Sequence, residues 1–126
     1  MLYPDRIEYL AKRGIRYVEV MDRFGGNEGL YRRLATRFLD DPHMGLLEEA
    51  LDAGDAEAAY NEAHSLKGVA GNLSFAALYL AVSEVSGALR EGRLEDARAL
   101  MPAARRAYED VCDGMRTMKY CWDDPE

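Results

Sequence analysis

The sequence predicts an all-α protein, an up-down four-helix bundle with a short N-terminal capping helix or helices. Apolar residues recur at three- and four-residue steps along most of the chain, which is typical of amphipathic helices. Valine-rich pieces such as RYVEV are short and lack a partner run with hairpin turn residues. The breaks between helical runs span two to five residues, so successive helices are expected to pack antiparallel.

Short helices are expected before the bundle. The first covers residues 4–13, with an early proline and with Gly14 as its stop. The sequence FGG at 24–26 is a break, and Asn27 is expected to cap a helix that runs to about residue 40. An apolar stripe marks that helix and consists of Leu30, Tyr31, Leu34 and Phe38.

Four further runs are expected to form the bundle, at residues 42–54, 56–73, 74–91 and 94–118. Asp55 is expected to cap the second run, and Gly92 to end the third. Pro102 lies inside the fourth run, which it is expected to kink or to divide in two, because proline removes a backbone donor.

Length and composition fit one globular domain. The 126 residues are 48% hydrophobic, which is enough to bury a core without a disulfide or a metal. The domain is predicted to span residues 1–118, followed by an acidic C-terminal tail at 119–126. The tail contains Trp122, whose role the sequence leaves open.

Charge and cysteine content limit the partners and the compartment. A net charge of −7 and a pI near 4.9 argue against nucleic acid, because phosphate neutralisation needs clustered Lys and Arg. The two cysteines lack Cys-x-x-Cys spacing and are expected to be reduced thiols. The N-terminus carries charges throughout, unlike a signal peptide, and the uncharged stretch at 68–83 is too short to span a bilayer. We expect a cytoplasmic protein that does not bind membranes.

The stretch EAHSLKGVAGNLSF, residues 62–75, contains the clearest functional candidate. At 100° per residue, His64 lies more than a quarter turn from the centre of the apolar stripe. Gly68 and Gly71 share the sector of His64, and Lys67 lies between that sector and the stripe. A glycine inside a helix costs about 0.5–1 kcal/mol relative to alanine. Two glycines in the sector of His64 indicate either that another molecule approaches the helix backbone closely or that the helix weakens toward its end.

His64 and Lys67 together suit the acceptance of a phosphoryl group. The Lys67 ammonium is expected to reach the edge of the His64 ring and to favour the neutral imidazole. A neutral, exposed imidazole is a nucleophile, and the same ammonium can meet the oxygens of a phosphoryl group once it is attached. None of these features is specific alone.

The sequence AHSLKGVAGNLSF closely resembles the pattern of histidine-containing phosphotransfer (HPt) domains, which runs His-x-Leu-Lys-Gly-x-x-x-Asn-Leu/Ile-Gly. Residues 14–118 are similar to the family, including the helix junctions AGDAEAAYNEAHSLKG and LREGRLEDARAL. The family usually has glycine where this chain has Ser74, which we expect to cap the next helix rather than to adopt a positive φ. Six positions match in place: His64, Leu66, Lys67, Gly68, Asn72 and Leu73.

The resemblance implies a phosphocarrier protein rather than an enzyme. HPt domains display a histidine on an exposed helix of a four-helix core and pass a phosphoryl group between receiver-domain aspartates. The resemblance implies that His64 is phosphorylated and that Lys67 stabilises the phosphoryl charge. It also implies response-regulator receiver domains, and a hybrid histidine kinase, as partners. The receiver supplies the aspartate and Mg²⁺, so the chain needs no cofactor of its own. We expect a free-standing monomer, the alternative being a domain excised from a hybrid kinase.

The surface around the histidine is expected to meet the receiver. A Cβ at Gly68 or Gly71 would crowd its approach. Asn61, Ser65 and Asn72 are candidates to touch a docked receiver or its phosphoryl oxygens, and Asn72 is equally a candidate to cap the helix end.

Other classes of function have less support. A helical module that docks on a receiver or kinase without phosphoryl transfer is the alternative, and its binding would survive His64→Gln. A di-metal bundle needs Glu-x-x-His motifs, whereas Asn61 precedes His64 and His43 is expected in a loop, so no metal site is predicted. No nucleophile elbow, phosphate loop or Cys–His pairing indicates a stand-alone enzyme. Large side chains near the histidine are expected in the core: Tyr60, Phe75, Tyr79 and Leu80.

Overall fold

The computed structural model describes residues 3–122, and in that range the chain is all-α, as predicted. An isolated β-bridge between Ile15 and Phe75 is the only extended pairing among these residues. The seven α-helices are α1 (Pro4–Lys12), α2 (Tyr17–Arg23), α3 (Glu28–Thr36), α4 (His43–Asp52), α5 (Ala56–Asn72), α6 (Ala76–Arg90) and α7 (Leu94–Tyr120). A 3-10 helix, Arg37–Asp40, follows α3 directly.

The four C-terminal helices pack in chain order. Helix α5 lies between α4 and α6, α7 packs against α6, and α4 also contacts α7. Helix α3 and the 3-10 helix pack on α7, and α1 contacts α2. Each connection within the set α4 to α7 is three residues long, at 53–55, 73–75 and 91–93.

The three connections share one backbone conformation. Gly54, Ser74 and Gly92 each adopt a left-handed conformation, with φ of 72°, 57° and 74°. In each turn the residue that follows the left-handed one donates its N–H, at 2.9 Å, to the carbonyl of the residue five positions before itself. This is the Schellman motif, which satisfies carbonyls at the helix end and reverses the chain. The repeated motif explains why connections of only three residues are sufficient.

The N-terminal segment packs against the turn between α5 and α6. The Tyr31 hydroxyl donates to the Leu73 carbonyl at 2.8 Å. The Arg16 N–H donates to the Ser74 carbonyl at 2.9 Å. Burial raises the pKa of Tyr31 above its ordinary range, consistent with a hydroxyl that is enclosed by the core. The segment that precedes α4 therefore supports the turn that follows α5, the helix of the candidate histidine.

Helix α2 is the element that the sequence analysis missed. Tyr17, Val20 and Met21 are buried on one face at three- and four-residue spacing. The helix has only seven residues, too few for a periodic pattern to be distinguished from a short valine-rich piece.

Pro102 does not divide the last helix. Helix α7 is continuous through Pro102. Of the two predicted outcomes, a kink or a division of the helix, the division is therefore wrong. Ala97 and Ala104 on either side of the proline are both fully buried, and packing of the flanking turns outweighs the backbone hydrogen bond that proline cannot make.

Helix α7 extends two residues beyond the predicted end at 118, and the chain after it is held in place. The Trp122 ring meets the Tyr9 ring edge to face, with centroids 5.6 Å apart. The Arg6 guanidinium lies 5.1 Å from the centroid of the Trp122 ring, and Arg32 donates to the Trp122 carbonyl. The rest of the predicted tail, 123–126, lies outside the described residues. Within residues 3–122, no helix is both long enough and apolar enough to cross a membrane.

Candidate functional site

His64 lies in the middle of α5 with its side chain exposed. The buried positions of this helix are Ala59, Ala63, Leu66 and Ala70, which face α4 and α6 at steps of three and four residues. His64 follows a buried residue by one position, so the helical repeat places it off the buried stripe.

A shallow depression of about 260 Å³ surrounds the histidine. Two other predicted contact residues, Asn61 and Ser65, are exposed on α5 but do not line it. The lining residues are His64, Lys67, Gly68, Gly71 and Asn72 from α5 and Tyr79 from α6. The structure thus brings together five of the seven residues that the sequence singled out.

The two glycines serve different purposes. A Cβ at Gly68 would meet no atom within 4 Å, so the helix backbone there is open to a partner. A Cβ at Gly71 would lie 3.2 Å from both Cδ1 and Cε1 of Tyr79, closer than ordinary van der Waals contact. Both glycines were expected to make room for a partner, whereas the absence of a Cβ at Gly71 makes room for Tyr79 of the same chain.

The side chains of His64 and Lys67 turn toward different aromatic rings. The His64 ring stacks on Tyr60, with centroids 6.0 Å apart and an interplanar angle of 25°. The Lys67 ammonium lies 5.7 Å from the centroid of the Tyr79 ring. No ion pair joins Lys67 to another described residue. The Lys67 cation is therefore held by an aromatic face instead of a carboxylate.

A second cleft, of about 480 Å³, adjoins the depression. It shares Gly71 and Tyr79 with the depression and is bordered on the other side by α2. Arg23 of α2 donates to the Gly71 carbonyl at 3.0 Å and also to the Ser74 hydroxyl. That hydroxyl donates to Glu19 Oε1 at 2.9 Å. Helix α2 is thereby fastened to the end of α5.

Ser74 does not cap the next helix, so that expectation is wrong. Its φ is 57°, and Phe75 occupies the N-cap position of α6 without a side-chain cap. The Schellman turn needs a left-handed residue here, a conformation that costs a non-glycine residue roughly 1–2 kcal/mol. The hydrogen bonds of the Ser74 hydroxyl to Glu19 and Arg23 offset that cost.

Two side chains that were expected in the core are at the surface. Tyr79 is 37% exposed and Leu80 is 64% exposed, whereas Phe75 is fully buried as expected and Tyr60 is half-buried. The helical period of α6 indicates this exposure. The buried face of α6 is marked by Leu78, Val82 and Val85. Tyr79 and Leu80 do not lie on that face.

His43 is also placed differently from the prediction. It is the first residue of α4, with its N–H bonded to Asp41 Oδ1 at 2.9 Å. Its Nδ1 lies 2.9 Å from Glu62 Oε1 on α5. His43 therefore joins two helices instead of lying free in a loop. Among the described residues, no group of three or more His, Cys, Asp or Glu side chains is placed to hold a metal ion.

Comparison with known proteins identifies a family. The family model described as Hpt domain matches residues 38–114, a range that contains α4, α5, α6 and most of α7. His64 and every other residue that lines the depression lie inside it. No curated protein and no solved structure matches the chain.

Proposed function

The chain belongs to the Hpt domain family, and on that basis we propose that it is a histidine phosphotransfer protein of a two-component phosphorelay. Hpt domains are phosphocarrier modules of phosphorelays and not classical enzymes. The finer proposal is that His64 accepts a phosphoryl group from a receiver-domain aspartate and passes it to another receiver. The observation that carries it is the exposed His64 in a depression that also contains Lys67 and the open backbone at Gly68.

The proposed chemistry is a reversible substitution at phosphorus. An unprotonated nitrogen of the His64 ring attacks the phosphorus of the receiver's aspartyl phosphate. A P–N bond forms while the P–O bond to the aspartate breaks, and the aspartate leaves as a carboxylate. The Lys67 ammonium, which no described carboxylate neutralises, stabilises the charge on the phosphoryl oxygens. The reverse reaction loads the next receiver.

The partner completes the site. We propose that the receiver supplies the aspartate and the Mg²⁺, and that this chain contributes no cofactor. Gly68 lets the receiver approach the α5 backbone, because nothing fills the space where a Cβ would lie. Asn61 and Ser65, exposed on α5, and Asn72, in the depression, are the proposed polar contacts around it.

We also propose how the helices are arranged and where the protein acts. Helices α4 to α7 form an up-down four-helix bundle that α1 to α3 cap, an arrangement supported by packing in chain order and by the contact of α4 with α7. The protein acts in the cytoplasm as a monomer whose partners are receiver domains or a hybrid histidine kinase. The net charge of −7 disfavours nucleic acid as a partner.

The proposal is tested by transfer from a receiver that has been charged with a small phosphodonor. The native chain is expected to take up a label that is labile to acid and stable to base, as a phosphoramidate is. His64→Gln should take up none, whereas His43→Gln, a change at the second of the two histidines, should be labelled like the native chain. Equal labelling of native chain and His64→Gln would exclude His64 as the acceptor. Binding by both forms, with no label from a broad panel of receivers, would favour the binding-only alternative.

A further inference from the structure

We infer that Tyr79 is a positioning residue for phosphoryl transfer, whose ring holds the Lys67 ammonium beside His64. This inference rests on the proposed function. Tyr79 belongs to α6 and lines the depression with the two α5 residues. It lies outside the His-x-Leu-Lys-Gly segment of α5 that suggested the site.

The contact of Lys67 with Tyr79 has the geometry of a cation–π interaction. The ammonium lies 5.7 Å from the ring centroid, within the distance of about 6 Å at which such contacts are attractive. The Tyr79 side chain is 37% exposed, so the ring presents its surface at the edge of the depression. Lys67 has three further single bonds between its Cγ and the ammonium, and without the ring the charge would sample many positions.

An aromatic ring suits this task better than a carboxylate. A carboxylate at the position of Tyr79 would neutralise Lys67 and repel an incoming phosphoryl group. The ring attracts the ammonium through its quadrupole and carries no net charge. Lys67 is thus placed near His64 while its full positive charge stays available to the phosphoryl oxygens.

Gly71 allows the ring to reach this place. A Cβ at Gly71 would lie 3.2 Å from two carbons of the Tyr79 ring, so any larger residue there would push the ring away from the α5 backbone by a few tenths of an ångström. The Tyr79 N–H donates to the Phe75 carbonyl at 2.8 Å, in the first turn of α6. The ring therefore projects from the first turn of α6 and lies against α5 at Gly71. Gly71 and Tyr79 act as a pair whose effect on the reaction passes through Lys67.

The experiment measures single-turnover transfer from a charged receiver for Tyr79→Phe and Tyr79→Leu, each with native Lys67 and with Lys67→Ala. With Lys67 present, Tyr79→Leu should lower the rate constant at saturating receiver by roughly twofold to fivefold, the range of an exposed cation–π contact. Tyr79→Phe keeps the ring and should retain the native rate. With Lys67→Ala, Tyr79→Leu should have no further effect, because coupled residues are not additive. A native rate for Tyr79→Leu, or an equal loss with and without Lys67, would overturn the inference.

A readout that does not need transfer separates this inference from the proposed function. The ring of Tyr79 should shift the NMR signal of the Lys67 ε-methylene upfield in the native chain and in Tyr79→Phe, and the shift should vanish in Tyr79→Leu. An unshifted signal in a native chain that takes up label overturns the role of Tyr79 alone. A shifted signal in a native chain that takes up no label from any receiver overturns the proposed function, and the transfer role of Tyr79 with it.

Discussion

Gly68 and Gly71 lie one turn apart on α5, and alanine should change the stability of the chain differently at the two positions. At Gly68 the new methyl group meets nothing within 4 Å, so alanine should stabilise the helix by about 0.5–1 kcal/mol. The same methyl group should slow transfer by obstructing the receiver. At Gly71 the methyl group displaces the Tyr79 ring, which offsets the gain in helix propensity.

Urea unfolding and receiver-dependent phosphorylation of the two variants distinguish these effects. Gly45→Ala is a matched control, because Gly45 lies inside α4 with no atom within 4 Å of a new Cβ. It should gain stability like Gly68→Ala and keep native transfer. If Gly68→Ala also transferred at the native rate, the open backbone at that position would have no role in docking.

Ser74 shows how a residue that costs energy in a turn is retained by its contacts. Ser74→Ala should lose about 1–2 kcal/mol of stability, because the left-handed φ of 57° remains while the hydrogen bonds to Glu19 and Arg23 disappear. Ser74→Gly should remain within about 1 kcal/mol of the native chain, because it removes the backbone strain and the hydrogen bonds together.

Denaturant unfolding of both Ser74 variants measures these changes. Gly92→Ala provides the reference for backbone strain alone, because Gly92 has φ of 74° and no atom within 4 Å of a new Cβ. A Ser74→Ala variant as stable as the native chain would mean that the hydroxyl contributes nothing to the turn.

Most helices were predictable from the sequence because each carries its own apolar period and its own ends. Gly14 and Gly92 end helices where expected, and the Asp55 side chain accepts from the Ala58 N–H at 3.1 Å as the predicted cap of α5. Helix α2 was missed because seven residues hold fewer than two full turns. The departure at Ser74 depends on Glu19 and Arg23, about fifty residues earlier in the chain, and no local rule contains that information.

The candidate site was predictable to the extent that it lies on a single helix. His64, Lys67 and Gly68 follow from spacing along α5 and from the family resemblance. Tyr79 enters only when α6 folds back against Gly71, a contact between two elements that periodicity within one element cannot show. The orientation of the Lys67 ammonium toward that ring was unpredictable for the same reason.

Helix α7 should become more stable when its proline is removed. Pro102 is exposed inside the helix, where it cannot donate the backbone hydrogen bond that other residues make. Pro102→Ala should restore that bond without a loss of packing and should raise stability by about 1–3 kcal/mol. Thermal unfolding followed by circular dichroism measures the change, and Ala103→Gly in the next exposed position should lower stability by about 1 kcal/mol. A lower melting temperature for Pro102→Ala would show that the missing hydrogen bond at Pro102 does not destabilise α7.

The molecule as a whole should lose stability at alkaline pH. Burial raises the pKa of Tyr31 and of Cys112, and burial, with the neighbouring Cys112, raises the pKa of Tyr108 to about 12. The native state therefore holds these protons more tightly than the unfolded chain, whose cysteine and tyrosine pKa values are about 8.5 and 10. The contribution is fully present below pH 8 and is lost as the pH rises past those unfolded values toward the native ones.

Unfolding free energies measured by urea from pH 7 to pH 11 should be level at first and should fall above about pH 9. Tyr31→Phe should reduce the slope of that fall, although its stability at pH 7 is lower because the Leu73 carbonyl loses its donor. Tyr120→Phe, at an exposed position, is the matched control. An unchanged slope in Tyr31→Phe would mean that its buried hydroxyl does not contribute to the alkaline loss.

Trp122 is the single tryptophan of the chain, and it packs where the beginning and the end of the described chain meet, against Tyr9 and Arg6. Its intrinsic fluorescence is therefore a spectroscopic reporter of that junction, separate from the circular dichroism, to which all the helices contribute and α4 to α7 contribute most. Where the two signals follow one unfolding curve, the contacts of Trp122 with Tyr9 and Arg6 are lost together with the helices α4 to α7. Where fluorescence changes first, Trp122 has lost its contacts with Tyr9 and Arg6 while the helix that presents His64 is still folded.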